Sequence, residues 1–182
     1  MHETFEEDKA AALFARQEQT LRALVAGERN KSKKQMKTLT QTILPSIALY
    51  RALSDGGFSK VEAYSYVQAY MLDYVAAEKH ASTAKMETVP GFYALYSSIF
   101  LRVMRASDLW ISTQTRGRDF FDVTITSCLW QTACAENGCP ELCRLFCEAD
   151  NVTYGSLKKI GFSRTKTLGC GQDYCDFHFF RK

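Results

Sequence analysis

The sequence predicts an α+β protein, with a helical N-terminal half packed on a small antiparallel sheet that closes in a C-terminal hairpin. Three observations carry this. Apolar residues recur at three- and four-residue steps up to about residue 107. From Trp110 they alternate with polar ones, the period of a half-buried strand. Proline and glycine number only three and ten in 182 residues, too few for a linker-rich or low-complexity chain. The length fits a single domain over 1–182, with a helical part at about 4–107 and a mixed sheet and helix part at about 109–181.

The first helix is expected over Thr4–Glu28, with Phe14, Leu21 and Val25 on one stripe and Leu13 and Leu24 beside it. Residues 32–54 place Leu39, Ile43, Ile47, Tyr50 and Leu53 on a second stripe. Pro45 predicts a kink or fresh start within it, and Gly56-Gly57 its end. Ser59-Lys60-Val61-Glu62 reads as a capping box, followed at helical spacing by Val61, Tyr64, Val67, Met71, Tyr74 and Val75. His80 then stands at the end of a helix, where a cation suits the dipole. After Pro90-Gly91 another helix is expected to bury Phe92, Leu95, Ile99, Phe100 and Val103. Two strands follow: Trp110–Arg116, and a second in which Phe121, Val123 and Ile125 face one side. Residues 130–137 read as a short helix stopped by Gly138, and Pro140 opens a helix running to about Tyr154. Ile160–Thr167 and Tyr174–Arg181 complete the sheet as strands joined by the loop 168–173.

Net charge is +3 and thinly spread. The exception is Arg29, Lys31, Lys33, Lys34 and Lys37, five cations in nine residues without interleaved aromatics. They read as a solvated helix start, so no nucleic-acid partner is expected. No run approaches the about 20 apolar residues of a membrane span, and the opening His2-Glu3-Thr4-Phe5-Glu6-Glu7-Asp8 lacks the basic and apolar regions of a signal peptide. The expectation is a cytoplasmic protein with no membrane association, whose seven cysteines are reduced. The apolar face of residues 4–28 is one that a second copy could cover, which admits a homo-oligomer. Gly-x-Gly-x-x-Gly, Gly-x-x-x-x-Gly-Lys-[Ser/Thr], Gly-x-Ser-x-Gly and His-Glu-x-x-His are all missing from the sequence.

Chemistry concentrates in two stretches. In the helix opened by Pro140, Cys143, Cys147 and Asp150 stand at i, i+4 and i+7 and so share one face. A thiol pair and a carboxylate together serve as buried hydrophobes with an ion-pair partner, or as a nucleophile with a proton donor. Metal binding would ask for tighter C-x-x-C steps, and no metal ligands are assigned. In the last strand Cys175, Phe177 and Phe179 face one side, while Asp176 and His178 face the other, as solvated residues of an open sheet face or as a pair that orients the imidazole for base catalysis. Cys128 lies at a strand end. Arg164, in a strand beside Phe162, needs an internal carboxylate or a substrate anion.

At these residues the chain resembles the L-2-amino-thiazoline-4-carboxylic acid hydrolase family. The likeness runs through Cys128, Gly138-Cys139-Pro140-Glu141-Leu142-Cys143, Cys147-Glu148-Ala149-Asp150, Arg164-Thr165-Lys166-Thr167-Leu168 and Cys175-Asp176-Phe177-His178-Phe179. It covers 123–179, and more loosely the chain from Leu44 onward. The resemblance implies a hydrolase acting on non-peptide C–N bonds in cyclic amidines. It would open a small carboxylate-bearing cyclic amidine to a carbamoyl-cysteine-like product, in cysteine metabolism. In that reading Cys175 or Cys147 is the nucleophile and Asp150 moves the proton. Arg164 clamps the substrate carboxylate, Asp176 holds the amidinium and Cys128 lines the site. No cofactor is required, and a divalent metal is left open. Two other functions fit the same residues: a non-catalytic domain binding a small anion, and a thiol-based redox or metal sensor.

Overall fold

A computed structural model describes residues 7–182, so His2 and the first expected helical residues, 4–6, lie outside it. The described residues divide into two compact units, 7–68 and 69–182. The change of texture near residue 107 is therefore internal to the second unit.

In the first unit, α1 (Glu7–Gly27) packs with α3 (Leu44–Asp55). The buried positions of α1 are Ala10, Leu13 and Leu24, one step round from the expected stripe, and Phe14 is exposed. Between them α2 (Lys33–Thr38) opens on a capping box in which Ser32 and Gln35 exchange bonds, so the basic run is indeed a helix start. The turn Leu39–Ile43 then widens to a π-helix just before Pro45. Proline has no N–H to donate and its ring crowds the carbonyl four residues back, so the backbone loosens there. The expected stripe Leu39, Ile43, Ile47, Tyr50 and Leu53 is buried throughout. Gly56 ends α3 and Gly57 takes a φ of 94°, open to glycine at little cost. The capping box Ser59–Glu62 starts α4 (Lys60–Ala69).

The second unit begins with a π-helical stretch, Tyr70–Ala76, and α5 (Ala77–Met86). His80 is thus within a helix rather than at its end. Of the expected stripe Val67 and Met71 are buried, while Val61, in the first turn of α4, is exposed. The π-turns then shift the phase, so Tyr74 is exposed and Ala76 is buried. In α6 (Phe92–Ala106) the expected stripe holds at Phe92, which is buried, and at Phe100, which packs against the core. It fails at Leu95, Ile99 and Val103, which are 45%, 49% and 49% exposed, and Ser97, Leu101 and Met104 face inward instead.

The remainder builds one antiparallel sheet of order β1-β2-β4-β3, with β1 Trp110–Arg116, β2 Phe120–Cys128, β3 Ile160–Ser163 and β4 Cys175–Arg181. Helices α7 (Leu129–Glu136) and α8 (Cys143–Tyr154) lie between β2 and β3 in sequence, with the short 3-10 turn Pro140–Leu142 leading into α8. The α+β class and the antiparallel sheet of the sequence reading are present. One face of β2 and β4 buries Phe121, Val123, Ile125, Cys175, Phe177 and Phe179. Phe179 is its hub, with ring centroids 4.8 Å from Phe121, 4.8 Å from Phe162, 5.0 Å from Phe100 and 5.3 Å from Tyr154. On the open face His178 pairs with Asp122 of β2 at 2.6 Å and not with Asp176. The third strand is shorter than expected: it stops at Ser163, so Arg164 leaves the sheet and turns toward α8.

The approach to β3 is held by a buried carboxylate. Glu87, 6% exposed, accepts the backbone N–H of Lys158 at 3.0 Å and of Lys159 at 2.6 Å. Glu87→Ala strands two backbone donors and is expected to cost about 2–3 kcal/mol, or about 5–10 °C in Tm by thermal denaturation. A change under about 2 °C would mean that water replaces the carboxylate freely.

Candidate active site

Helix α8 presents Cys143, Cys147, Asp150 and Tyr154 at successive turns of one face. The segment after β3 folds back over this face and brings in Arg164, Thr167 and Gly169, while β4 brings Cys175 and the end of β2 brings Cys128.

Cys147 is the thiol set apart. Its Sγ is stabilised as a thiolate chiefly by the Cys143 S–H, then, against burial, by the positive charge of Arg164 and the Thr167 hydroxyl. Together they bring it down to about 7, whereas the donor Cys143 is pushed far up by that bond and by burial. Thr167 is oriented for this work, because its Oγ1 accepts the N–H of Cys170 at 3.1 Å and so aims its proton elsewhere. Cys175 is placed differently. It is buried, takes the N–H of Leu168 at 3.3 Å, and burial raises its thiol to about 11. Cys128 sits at the N-cap of α7, and burial lifts it to about 12 against the pull of the Trp130 and Gln131 backbone N–H groups.

Asp150 has a side chain 25% exposed. Loss of hydration raises its carboxyl to about 6, against the attraction of Lys79 and Arg164. Arg164, 8% exposed, lies 3.5 Å from Asp150 Oδ2 and donates a second bond to the carbonyl of Cys147. Its guanidinium also stands 6.0 Å and 5.9 Å from the rings of Phe162 and Phe177. The internal carboxylate is thus present. Tyr96 and Tyr154 are hydrogen-bonded beside it, with burial pushing the Tyr96 hydroxyl up to about 12.

Asp176 stands on the opposite side of β4. Its oxygens take the N–H of Thr165 at 2.9 Å, the Thr165 hydroxyl at 2.6 Å and the N–H of Lys166 at 2.5 Å. Despite partial burial these bonds hold the carboxyl below its ordinary value. Asp176 thereby fixes the loop that delivers Arg164 and Thr167. Among the described residues no group of three His, Cys, Asp or Glu side chains is arranged to hold a metal ion.

Thr167, Gly169 and Lys79 carry no motif signal beyond the Arg-Thr-x-Thr-Leu string, because their roles come from a loop and a helix closing on α8. Gly169 presses close on the thiol: a Cβ there would lie 2.8 Å from Cys147 Sγ and 3.1 Å from the Cys143 carbonyl. Gly169→Ala is expected to cost about 1–3 kcal/mol and to displace the thiolate from its donors. Alkylation of Cys147 by iodoacetamide at pH 7 should then slow several-fold, about threefold or more. An unchanged rate would show that the loop yields instead.

A family model described as L-2-amino-thiazoline-4-carboxylic acid hydrolase matches residues 35–179, a span holding every residue of this site. No curated protein matches the chain. A solved structure, "Crystal structure of an H-NOX protein from S. oneidensis in the Fe(II)NO ligation state", is 13% identical. The match covers 96% of this chain and 94% of that one at a TM-score of 0.32, too low to carry a likeness of fold.

Proposed function

From the premise that the chain belongs to the L-2-amino-thiazoline-4-carboxylic acid hydrolase family, we propose that it hydrolyses a small carboxylate-bearing cyclic amidine to a carbamoyl-cysteine-like product, with Cys147 as nucleophile. The observation that carries this is the thiolate-stabilising set around Cys147, one helical turn from a carboxyl raised to about 6. A nucleophile needs a thiol ionised near neutral pH, and proton transfer needs a group titrating in the same range.

The steps balance without a further reactant than water. The Cys147 thiolate adds to the amidine carbon, and the adduct collapses by breaking one ring bond as Asp150 gives its proton to the departing ring atom. Water then adds to the sulfur-linked carbon, Asp150 takes back a proton, and the Cys147 thiolate leaves. Arg164 supports this from within, holding the thiolate and the carboxylate by one charge. Cys143 and Thr167 supply the hydrogen bonds that a lone buried thiolate would lack. Cys175 and Cys128, both neutral at pH 7, bound the site as apolar surface.

The test is incubation with 2-amino-thiazoline-4-carboxylate followed by mass spectrometry, with and without a chelator. A product heavier by one water supports the hydrolase, and fragmentation shows which ring bond broke. A folded protein giving no product would overturn the substrate reading.

A further inference from the structure

A carboxylate-bearing substrate is best met by a cation that is free to reach it, and the Arg164 side chain is buried. To clamp a ligand it would have to leave Asp150, the Cys147 carbonyl and two aromatic rings. That would abandon a poorly hydrated carboxylate without its counter-charge. Lys79 stands otherwise. It is exposed, and the neighbouring His80 Nδ1 lies 2.9 Å from the Thr153 carbonyl, which fixes this part of α5 against the C-terminal half of α8. The Lys79 ammonium lies 5.6 Å over the ring of Tyr154, on the same face of α8 as Asp150 and Cys147. Aromatic contact restrains a long side chain without using its donors, since the ring offers no lone pair to all three N–H bonds. Asp150 thus pairs with a buried cation and also feels the charge of an exposed one, held over Tyr154 one turn further along α8.

We propose that Lys79 is the anion-binding residue of this site, selecting small ligands that carry a carboxylate. The inference rests on the reading of a carboxylate-bearing substrate and goes further by naming the residue that recognises it. Arg164 then tunes the reacting groups while Lys79 recognises the ligand.

Two alkylating reagents that differ in charge test this without any substrate. Iodoacetate and iodoacetamide both lose iodide to the same thiolate, but only the first carries a carboxylate. Cleavage after Arg144 and Lys158 isolates Cys147 as the one cysteine of its peptide, so its rate can be followed by mass spectrometry. In the full-length protein at pH 8 and low salt, Lys79→Gln should lower the iodoacetate to iodoacetamide rate ratio about fivefold. Lys79→Arg should keep most of the ratio, and 1 M salt should remove the difference. An unchanged ratio in Lys79→Gln overturns the inference. The turnover arm separates the two readings. If the wild type hydrolyses 2-amino-thiazoline-4-carboxylate, Lys79→Gln should raise its KM about fivefold more than that of 2-aminothiazoline, which has no carboxylate. A ratio that responds in a protein with no turnover overturns the hydrolase and upholds the anion site. Turnover with an unresponsive ratio does the reverse.

Discussion

Cys147→Ser is expected to lower turnover of 2-amino-thiazoline-4-carboxylate by about 10³-fold or more, and Cys175→Ser by less than about tenfold. Both thiols are in the family-like string and both face the same interior, so sequence leaves the choice open. Their surroundings separate them. Cys147 has a thiol donor, a hydroxyl donor and the Arg164 guanidinium to favour its charged form, whereas at Cys175 burial outweighs one backbone N–H and the same guanidinium. Its surroundings hold the Cys147 thiol well below its ordinary value, while burial keeps Cys175 up at about 11, so at neutral pH the thiolate sits at Cys147 far more than at Cys175. A serine at 147 is ionised far less than either. Steady-state turnover of both variants, with thermal denaturation as a control for folding, decides the assignment. Cys147→Ser at more than a tenth of wild-type rate would exclude it as nucleophile. A covalent adduct on the peptide 145–158 after acid quenching would support it directly.

Much of the architecture was legible because local chemistry and tertiary packing agree. Gly138 with a φ of 66°, the Ser59–Glu62 capping box and the alternation Phe121-Val123-Ile125 each act over a few residues. The shared face of Cys143, Cys147 and Asp150 follows from helical spacing alone. Helix phase was less legible where apolar residues run nearly all round. In α6 the run from Ile99 to Met104 offers Ile, Phe, Leu, Val and Met on several sides, and only packing decides that Leu101 and Met104 go inward. The π-turn at Tyr70–Ala76 likewise slips the phase after a correctly read helix start. The position of Arg164 was obscured for another reason. Its alternation with Phe162 mimics a strand, but pairing with Asp150 draws the backbone out of the sheet at Ser163. Thr167 and Gly169 act through that same departure, and nothing local to the loop signals which helix it will cover.

Arg164→Leu should move both limbs of the pH profile to higher pH, because one charge lowers two groups at once. The productive pair is a Cys147 thiolate with a protonated Asp150. Thiolate rises as pH passes up through about 7, and the protonated acid falls as pH passes up through about 6. Their product gives a bell in kcat/KM that peaks between the two values, where only a minority of molecules carries both forms at once. Arg164 favours the charged form of both groups, so its removal raises both values and carries the whole bell alkaline. At pH 6.5 the loss should be about 10- to 100-fold, partly regained at pH 8. Lys79 acts on Asp150 and is not among the groups that set Cys147, so Lys79→Gln should shift the descending limb alone. Arg164→Leu also strips a partner from Asp150 and the donor from the Cys147 carbonyl, a cost of about 3–5 kcal/mol. Arg164→Lys keeps the charge and loses the second bond, so it should fold better and shift the bell less. The pH dependence of Cys147 alkylation by iodoacetamide reads the ascending limb without turnover. A midpoint for that reaction that stays fixed in Arg164→Leu would show that the guanidinium is not what ionises the thiol, and would leave Cys143 and Thr167 as its support.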